Sequence, residues 1–152
     1  MGIRDELLKT KLVSQEQLKG CSRQEVADLA DSVGGRLPKA YEDFLLSMGH
    51  GAGKFLAGTD TFWPVLPLLR DAANRLLEES SAEPLTPSAF VLYMHQGYEF
   101  GYFLLDDGDD PAVYQYAEGW PAPQQVWGSF TDYMAEMLEH FSHAHSSRYV
   151  GR

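Results

Sequence analysis

The sequence predicts an α+β domain in which helices pack against an antiparallel β-meander. Three observations lead to this. Apolar residues recur at helical spacing as far as residue 79 and again after residue 129. Between Ala89 and Ala117 the pattern changes to short runs of strand type. The turns between those runs are too short for parallel crossovers, so the strands pair as hairpins. Helices set against one side of such a sheet bury the apolar faces of both.

Residues 3–19 predict a helix or two short helical pieces, with Leu7, Leu8, Leu12 and Leu18 as apolar anchors. Ser22-Arg23-Gln24-Glu25 is a capping box, in which hydroxyl and carboxylate satisfy the first orphan amides of a helix. Val26, Leu29, Ala30 and Val33 follow at helical spacing, and Gly34-Gly35 ends the run. A second helix starts at Pro38, whose missing amide costs nothing in a first turn. Tyr41, Phe44, Leu45 and Met48 form its buried stripe, and the glycines from Gly49 to Gly53 stop it. Trp63-Pro64-Val65-Leu66-Pro67 leads into a third helix of about 68–79, with Leu68, Leu69, Ala72, Ala73, Leu76 and Leu77 on its apolar face. Ser80 to Ser88 reads as a loop.

The strands follow. Ala89 to His95 alternates with period two, and Gln96-Gly97 makes a tight turn. Tyr98 to Leu105 is the second strand, with Tyr98, Phe100 and Tyr102 on one face. Asp106-Asp107-Gly108-Asp109-Asp110-Pro111 is an acidic turn, and Val113 to Ala117 is the third strand. A last helix of about 130–142 turns Phe130, Tyr133, Met134, Met137, Leu138 and Phe141 inward, and the polar tail from Ser142 frays.

The 152 residues contain no internal repeat or linker, and 1–152 reads as one domain with a core of about 22–141. Twelve basic against 22 acidic residues give a net charge of −10. Such a surface is a poor match for nucleic acid or an anionic membrane, and a good match for a basic protein. No apolar run approaches the ~18 residues of a membrane helix, and the N-terminus lacks an apolar signal core. Gly2 does not begin a myristoylation motif, because Glu6 stands where Ser or Thr is required. A lone Cys21 forms no internal disulfide, so the expected location is the cytoplasm.

Few residues point to chemistry. Gly49 to Lys54 falls short of a phosphate loop: the spacing is one residue short, Phe55 replaces the hydroxyl residue, and a helix comes first. The acidic turn offers adjacent carboxylates, whereas a calcium-binding EF-hand loop needs alternate ones and a distant Glu. Glu136, His140 and His143 share a helical face of zinc-type ligands, but histidines also suit a helix C-terminus. Cys21 lies at a helix start, where thiolate is favoured, yet no base in a recognised cysteine-enzyme context follows. His50 and His95 stand isolated, as turn and strand residues. Tyr93, Tyr98, Phe100, Tyr102, Tyr114, Tyr116 and Trp120 lack the cations of a single-strand stacking site, and most of them read as core and cross-strand pairs. The sequence therefore predicts no catalytic residue, no metal and no cofactor.

Residues 25–52 carry a more specific pattern: Gly35, Leu37-Pro38, Tyr41, Phe44-Leu45 and Gly49 in order after a helix. This resembles the signature of the SUKH superfamily, in its branch related to the fungal cell-wall assembly regulator. Met48-Gly49 stands where that pattern has Asn-Gly. The later strands, the acidic turn and Ser129-Phe130 extend the likeness over about 22–141. The matched residues are folding residues, so the likeness speaks first for fold.

The resemblance implies a protein-binding role. Bacterial members of that superfamily are mostly immunity proteins that bind a cognate polymorphic toxin, often a nuclease; others are regulatory interaction domains. The expectation is a non-catalytic immunity protein occluding a basic toxin, with a regulatory scaffold as the alternative. An enzyme or small-ligand protein would instead need a deep polar pocket with perturbed titrating groups. The expected contact residues are Asp106, Asp107, Asp109 and Asp110, with Tyr98, Glu99, Trp63 and Trp120 as anchors.

Overall fold

The structure is a computed structural model that describes the backbone of residues 2–150. It has five α-helices: α1 (Ile3–Lys9), α2 (Arg23–Ser32), α3 (Lys39–Met48), α4 (Leu69–Glu79) and α5 (Phe130–Val150). A two-stranded ribbon joins β1 (Leu18–Lys19) to β2 (Gly51–Ala52). The main sheet runs β3 (Ala89–His95), β4 (Glu99–Leu104), β5 (Val113–Ala117) and β6 (Gln124–Trp127) in sequential antiparallel order. The expected α+β meander is present, with one more strand than the sequence predicts.

The capping box is formed as read. Ser22 Oγ accepts from the Glu25 amide at 3.1 Å, and Glu25 Oε1 accepts from the Ser22 amide at 2.9 Å. Pro38 sits one residue earlier than expected, as the N-cap of α3. The rest of α3 is as its spacing predicts: Tyr41, Phe44, Leu45 and Met48 are all buried. Tyr41 is the hub of the core, its ring 5.2 Å from Phe90, 5.1 Å from Phe103 and 5.4 Å from Phe130.

Those contacts identify the sheet face that α3 and α5 cover. Phe90 faces Phe103 across the β3–β4 pair, and Val113 faces Trp127 across the β5–β6 pair. Trp127 packs on Tyr133 of α5 at 4.8 Å. The opposite face carries Phe100, Tyr102, Tyr114 and Tyr116, a cross-strand aromatic set in which Tyr102 and Tyr114 stack at 5.2 Å. Phe100 and Tyr116 are fully buried there, so the sheet is covered on both faces, not on the one expected. That is why β3, which α4 packs along, is buried at every residue from Ala89 to Met94 and shows no period-two exposure.

A bulge in β3 decides where Tyr93 goes. The register shifts between Val91 and Tyr93, which returns Tyr93 to the face of Phe90 and places it opposite Gly101. Its ring stacks on Tyr133 at 5.7 Å, in the space that a side chain at position 101 would fill.

Other boundaries differ from the sequence reading. Residues 3–19 hold α1, a 3-10 turn at Gln15–Gln17 and then β1, so Leu18 is a strand residue. Leu68 lies in a 3-10 turn ahead of α4 and is 65% exposed, because α4 begins one residue later than read. Tyr98 falls in the turn before β4, off the face of Phe100 and Tyr102. Helix α5 continues past Ser142 to Val150, where the sequence predicts a fraying tail.

The acidic turn is tied to both neighbouring helices. The Asp109 carbonyl accepts from the Ala40 amide at 2.9 Å. Asp110 Oδ1 accepts from the Thr131 amide at 2.9 Å, while Ser129 Oγ accepts from the Asp132 amide at 3.0 Å. A residue twenty positions upstream thus supplies one cap of α5. Asp110→Ala is expected to lower stability by about 1 kcal/mol, with an unchanged fold, in urea denaturation followed by circular dichroism.

Candidate interaction surface

The β3–β4 hairpin turns through Gln96 and Gly97, at φ 51° and 79°. Two consecutive left-handed residues make a turn whose twist matches the strands it joins. The turn lifts Tyr98 out, and at 42% exposure it is one of the few large apolar side chains turned to solvent. Its ring meets His95 edge-on at 5.6 Å, and its carbonyl accepts from the Glu118 amide at 2.8 Å. That bond brings the β5–β6 connection alongside, including Trp120. The Trp120 carbonyl accepts from the Tyr116 hydroxyl at 2.9 Å, and the ring is half-buried at 6.5 Å from Tyr116.

Residues 59–61 run along β3 from that end, and Thr61 Oγ1 donates to the Leu92 carbonyl at 2.6 Å. Asp60 bridges Met94 at the end of β3, and Thr59 Oγ1 lies 3.1 Å from His95 Nδ1. The Trp63 amide donates to the Gly49 carbonyl at 2.8 Å, which sets the indole 6.2 Å from the His50 ring. His50 Nε2 is 2.9 Å from Glu25 Oε2. Neither histidine is isolated, contrary to the sequence reading: segment 59–63 and helix α2 supply partners that local spacing does not reveal.

Glu99 has an internal task as well. Its Oε2 accepts from the Tyr93 hydroxyl at 3.0 Å and from Gln115 Nε2 at 2.6 Å. Burial, more than this neighbouring carboxylate, pushes the Tyr93 hydroxyl far above its ordinary range, so it stays a donor.

The expected contact residues do not form one patch. Tyr98, Glu99 and Trp120 lie at the turn end of the sheet, while Trp63 packs beside His50. Asp106, Asp107, Asp109 and Asp110 lie in the β4–β5 turn at the opposite end, about 20 Å away along a six-residue strand. All four aspartates are exposed, but three are engaged. Asp107 accepts from the Ala112 amide at 3.1 Å, Asp109 pairs with Arg36 at 3.0 Å, and Asp110 caps α5. The turn is therefore more than a solvated display of charge.

Cys21 is buried, and desolvation raises its thiol from 9.0 to about 11, with the Glu25 carboxylate adding to the effect. A group held protonated at neutral pH is a poor nucleophile. The thiolate that a helix start favours is thus overturned by burial.

A groove of about 670 Å³ lies between α1 and α5. Its walls are mainly apolar, from Ile3, Ala40, Phe130, Met134 and Leu138. Glu6, Lys9, Asp43 and Glu139 stand among its lining, and the perturbed groups Cys21, Tyr41, Tyr93 and Tyr133 do not. Among the described residues, no helix is long and apolar enough to cross a membrane.

The sequence profile of the SMI1 / KNR4 family (SUKH-1) matches residues 20–136. The chain belongs to the SMI1 / KNR4 family. The matched span runs from the residue before Cys21 into α5, so it covers the α2–α3 pair, the whole main sheet and the segment 59–63. Helix α1 lies outside it. No curated protein matches the sequence. Membership in SMI1 / KNR4 supports protein–protein interaction and fits an immunity-type or a regulatory role.

Proposed function

We propose that this SMI1 / KNR4 chain is a non-catalytic immunity protein that neutralises a basic toxin, such as a nuclease, by binding it directly in the cytoplasm. The supporting observation is an exposed tyrosine on a rigid hairpin, within a family of interaction domains, on a chain of net charge −10. Tyr98 is the central anchor. Trp120, half-buried in the adjoining β5–β6 connection, and Trp63, half-buried beside His50, are further anchors, and Glu99, Glu118 and Asp60 supply a negative rim. Aromatic anchors inside a polar rim concentrate binding energy in few residues. The aspartates of the distant turn sit more than a Debye length of about 8 Å from that contact. Their part is to add to the field that speeds encounter with a cationic partner.

The test begins with capture of the partner from cells that make the chain, followed by binding kinetics on the purified pair. The captured protein is expected to be basic and harmful to cells that lack this chain. Tyr98→Ala is expected to weaken binding about 30-fold, mainly through faster dissociation. Asp106→Asn is expected to slow association modestly at low salt and to leave dissociation unchanged. A harmless partner, with binding indifferent to Tyr98, would favour a regulatory scaffold.

A further inference from the structure

We propose that Cys21, Glu25 and His50 form a binding site for a zinc-type divalent cation. One ligand atom from each of these residues lies within 4.8 Å of the other two, and no other such trio occurs among the described residues. The face of Glu136, His140 and His143 does not converge in this way.

Three separate backbone restraints assemble the trio. The Cys21 amide donates to the Leu45 carbonyl at 2.8 Å, which pins the cysteine against α3. The capping box holds Glu25 in the first turn of α2. The His50 amide donates to the Lys19 carbonyl at 2.7 Å, so the short β1–β2 ribbon delivers the imidazole. Gly49 completes the cradle: a Cβ at that position would overlap Cys21 Sγ.

The ligand chemistry fits. Thiolate, imidazole and carboxylate are the three groups that zinc takes in proteins, and three protein ligands leave a fourth position open. With bonds of about 2.0–2.3 Å, ligand atoms around tetrahedral zinc stand roughly 3.3–3.8 Å apart. Small side-chain rotations close the present spacing to that value. In the structure His50 Nε2 lies 2.9 and 3.1 Å from the two Glu25 carboxylate oxygens. A cation would enter between them and release the Cys21 thiol proton to solvent, and thiolate plus carboxylate would balance its two charges. Access is from the solvent side, where the His50 and Glu25 side chains are 35% and 34% exposed. Cys21 forms the buried floor. The ion would tie the start of α2 to the ribbon beside Trp63.

The experiment uses the full chain, with zinc competed against a chromophoric chelator and cobalt as the spectroscopic probe. One equivalent of zinc is expected to bind. Cobalt is expected to give the intense visible bands of tetrahedral coordination and a thiolate charge-transfer band. Loss of an outer-shell partner already costs about 10–100-fold in affinity, so Cys21→Ser and His50→Gln are each expected to cost at least about 100-fold. His50→Gln lies at a half-exposed position and leaves the core intact, whereas His140→Gln is the control expected to change nothing. No zinc binding, affinity in either site variant unchanged from that of the unaltered chain, or cobalt binding without the thiolate band would each overturn the proposal.

Discussion

Tyr41→Ala is expected to destabilise the chain by about 4 kcal/mol, the cost of removing a large aromatic side chain from a core that cannot collapse onto the gap. Tyr41 is fully buried, and its ring touches Phe44, Phe90, Phe103 and Phe130 from α3, β3, β4 and α5. Phe103 joins the same four elements through its own ring contacts, one of them with Tyr41. The loss is comparable with the whole stability of an ordinary domain, about 5–15 kcal/mol, so the variant unfolds at a far lower urea concentration. Tyr41→Phe has the opposite outcome. The Tyr41 hydroxyl is buried without a hydrogen-bond partner among the described residues, and burial drives its pKa well above the ordinary tyrosine value. Removing an unpaired buried hydroxyl while keeping the ring is expected to leave stability unchanged or raise it by about 1 kcal/mol. Urea denaturation of both variants separates the packing of the ring from the cost of its hydroxyl. A Tyr41→Phe variant as damaged as Tyr41→Ala would show that the hydroxyl, not the ring, holds this core together.

Gly101→Val is expected to cost about 3 kcal/mol for the opposite reason, overpacking. A Cβ at this position would overlap the Tyr93 ring, and a branched side chain adds to the collision. If the ring moves, its stack on Tyr133 and its hydrogen bond to Glu99 go with it. The two positions are therefore coupled. Tyr93→Ala destabilises on its own, but on that background Gly101→Val is expected to cost less than about 1 kcal/mol, since the clash is gone. Additive losses in the double mutant would show that backbone conformation, not the ring, demands glycine.

Helix α2 and helix α3 were legible because their signals are local. A hydroxyl and a carboxylate three residues apart define the start of α2, and Tyr41, Phe44, Leu45 and Met48 recur at helical spacing. The Gln96-Gly97 hairpin was legible in the same way. Strand β6 was not: Gln124, Gln125 and Val126 are exposed, they follow Pro121 and Pro123, and only pairing with β5 makes them a strand. The ribbon of β1 and β2 is two residues per strand, too short for any period to show.

The same limit governs the surface. The eight expected contact residues are mostly solvent-facing or half-buried, as their types predict, but chain order says nothing of which end of the sheet each one reaches. Strand direction separates the acidic turn from Tyr98. Asp110 reads as surface charge until Thr131, far along the chain, is seen to donate to it. Cys21 and His50 are unremarkable apart, and meet only because the β1–β2 ribbon folds one segment back on the other.

The most direct test of a neutralising role is a titration of the partner's activity with the purified chain. A non-catalytic inhibitor is expected to abolish that activity at one equivalent, instantly and without being consumed. Tyr98→Ala would need a large excess to do the same. Inactivation that progresses with time at a small fraction of an equivalent would reveal an enzyme. Full activity in a saturated complex would show that binding serves some purpose other than neutralisation.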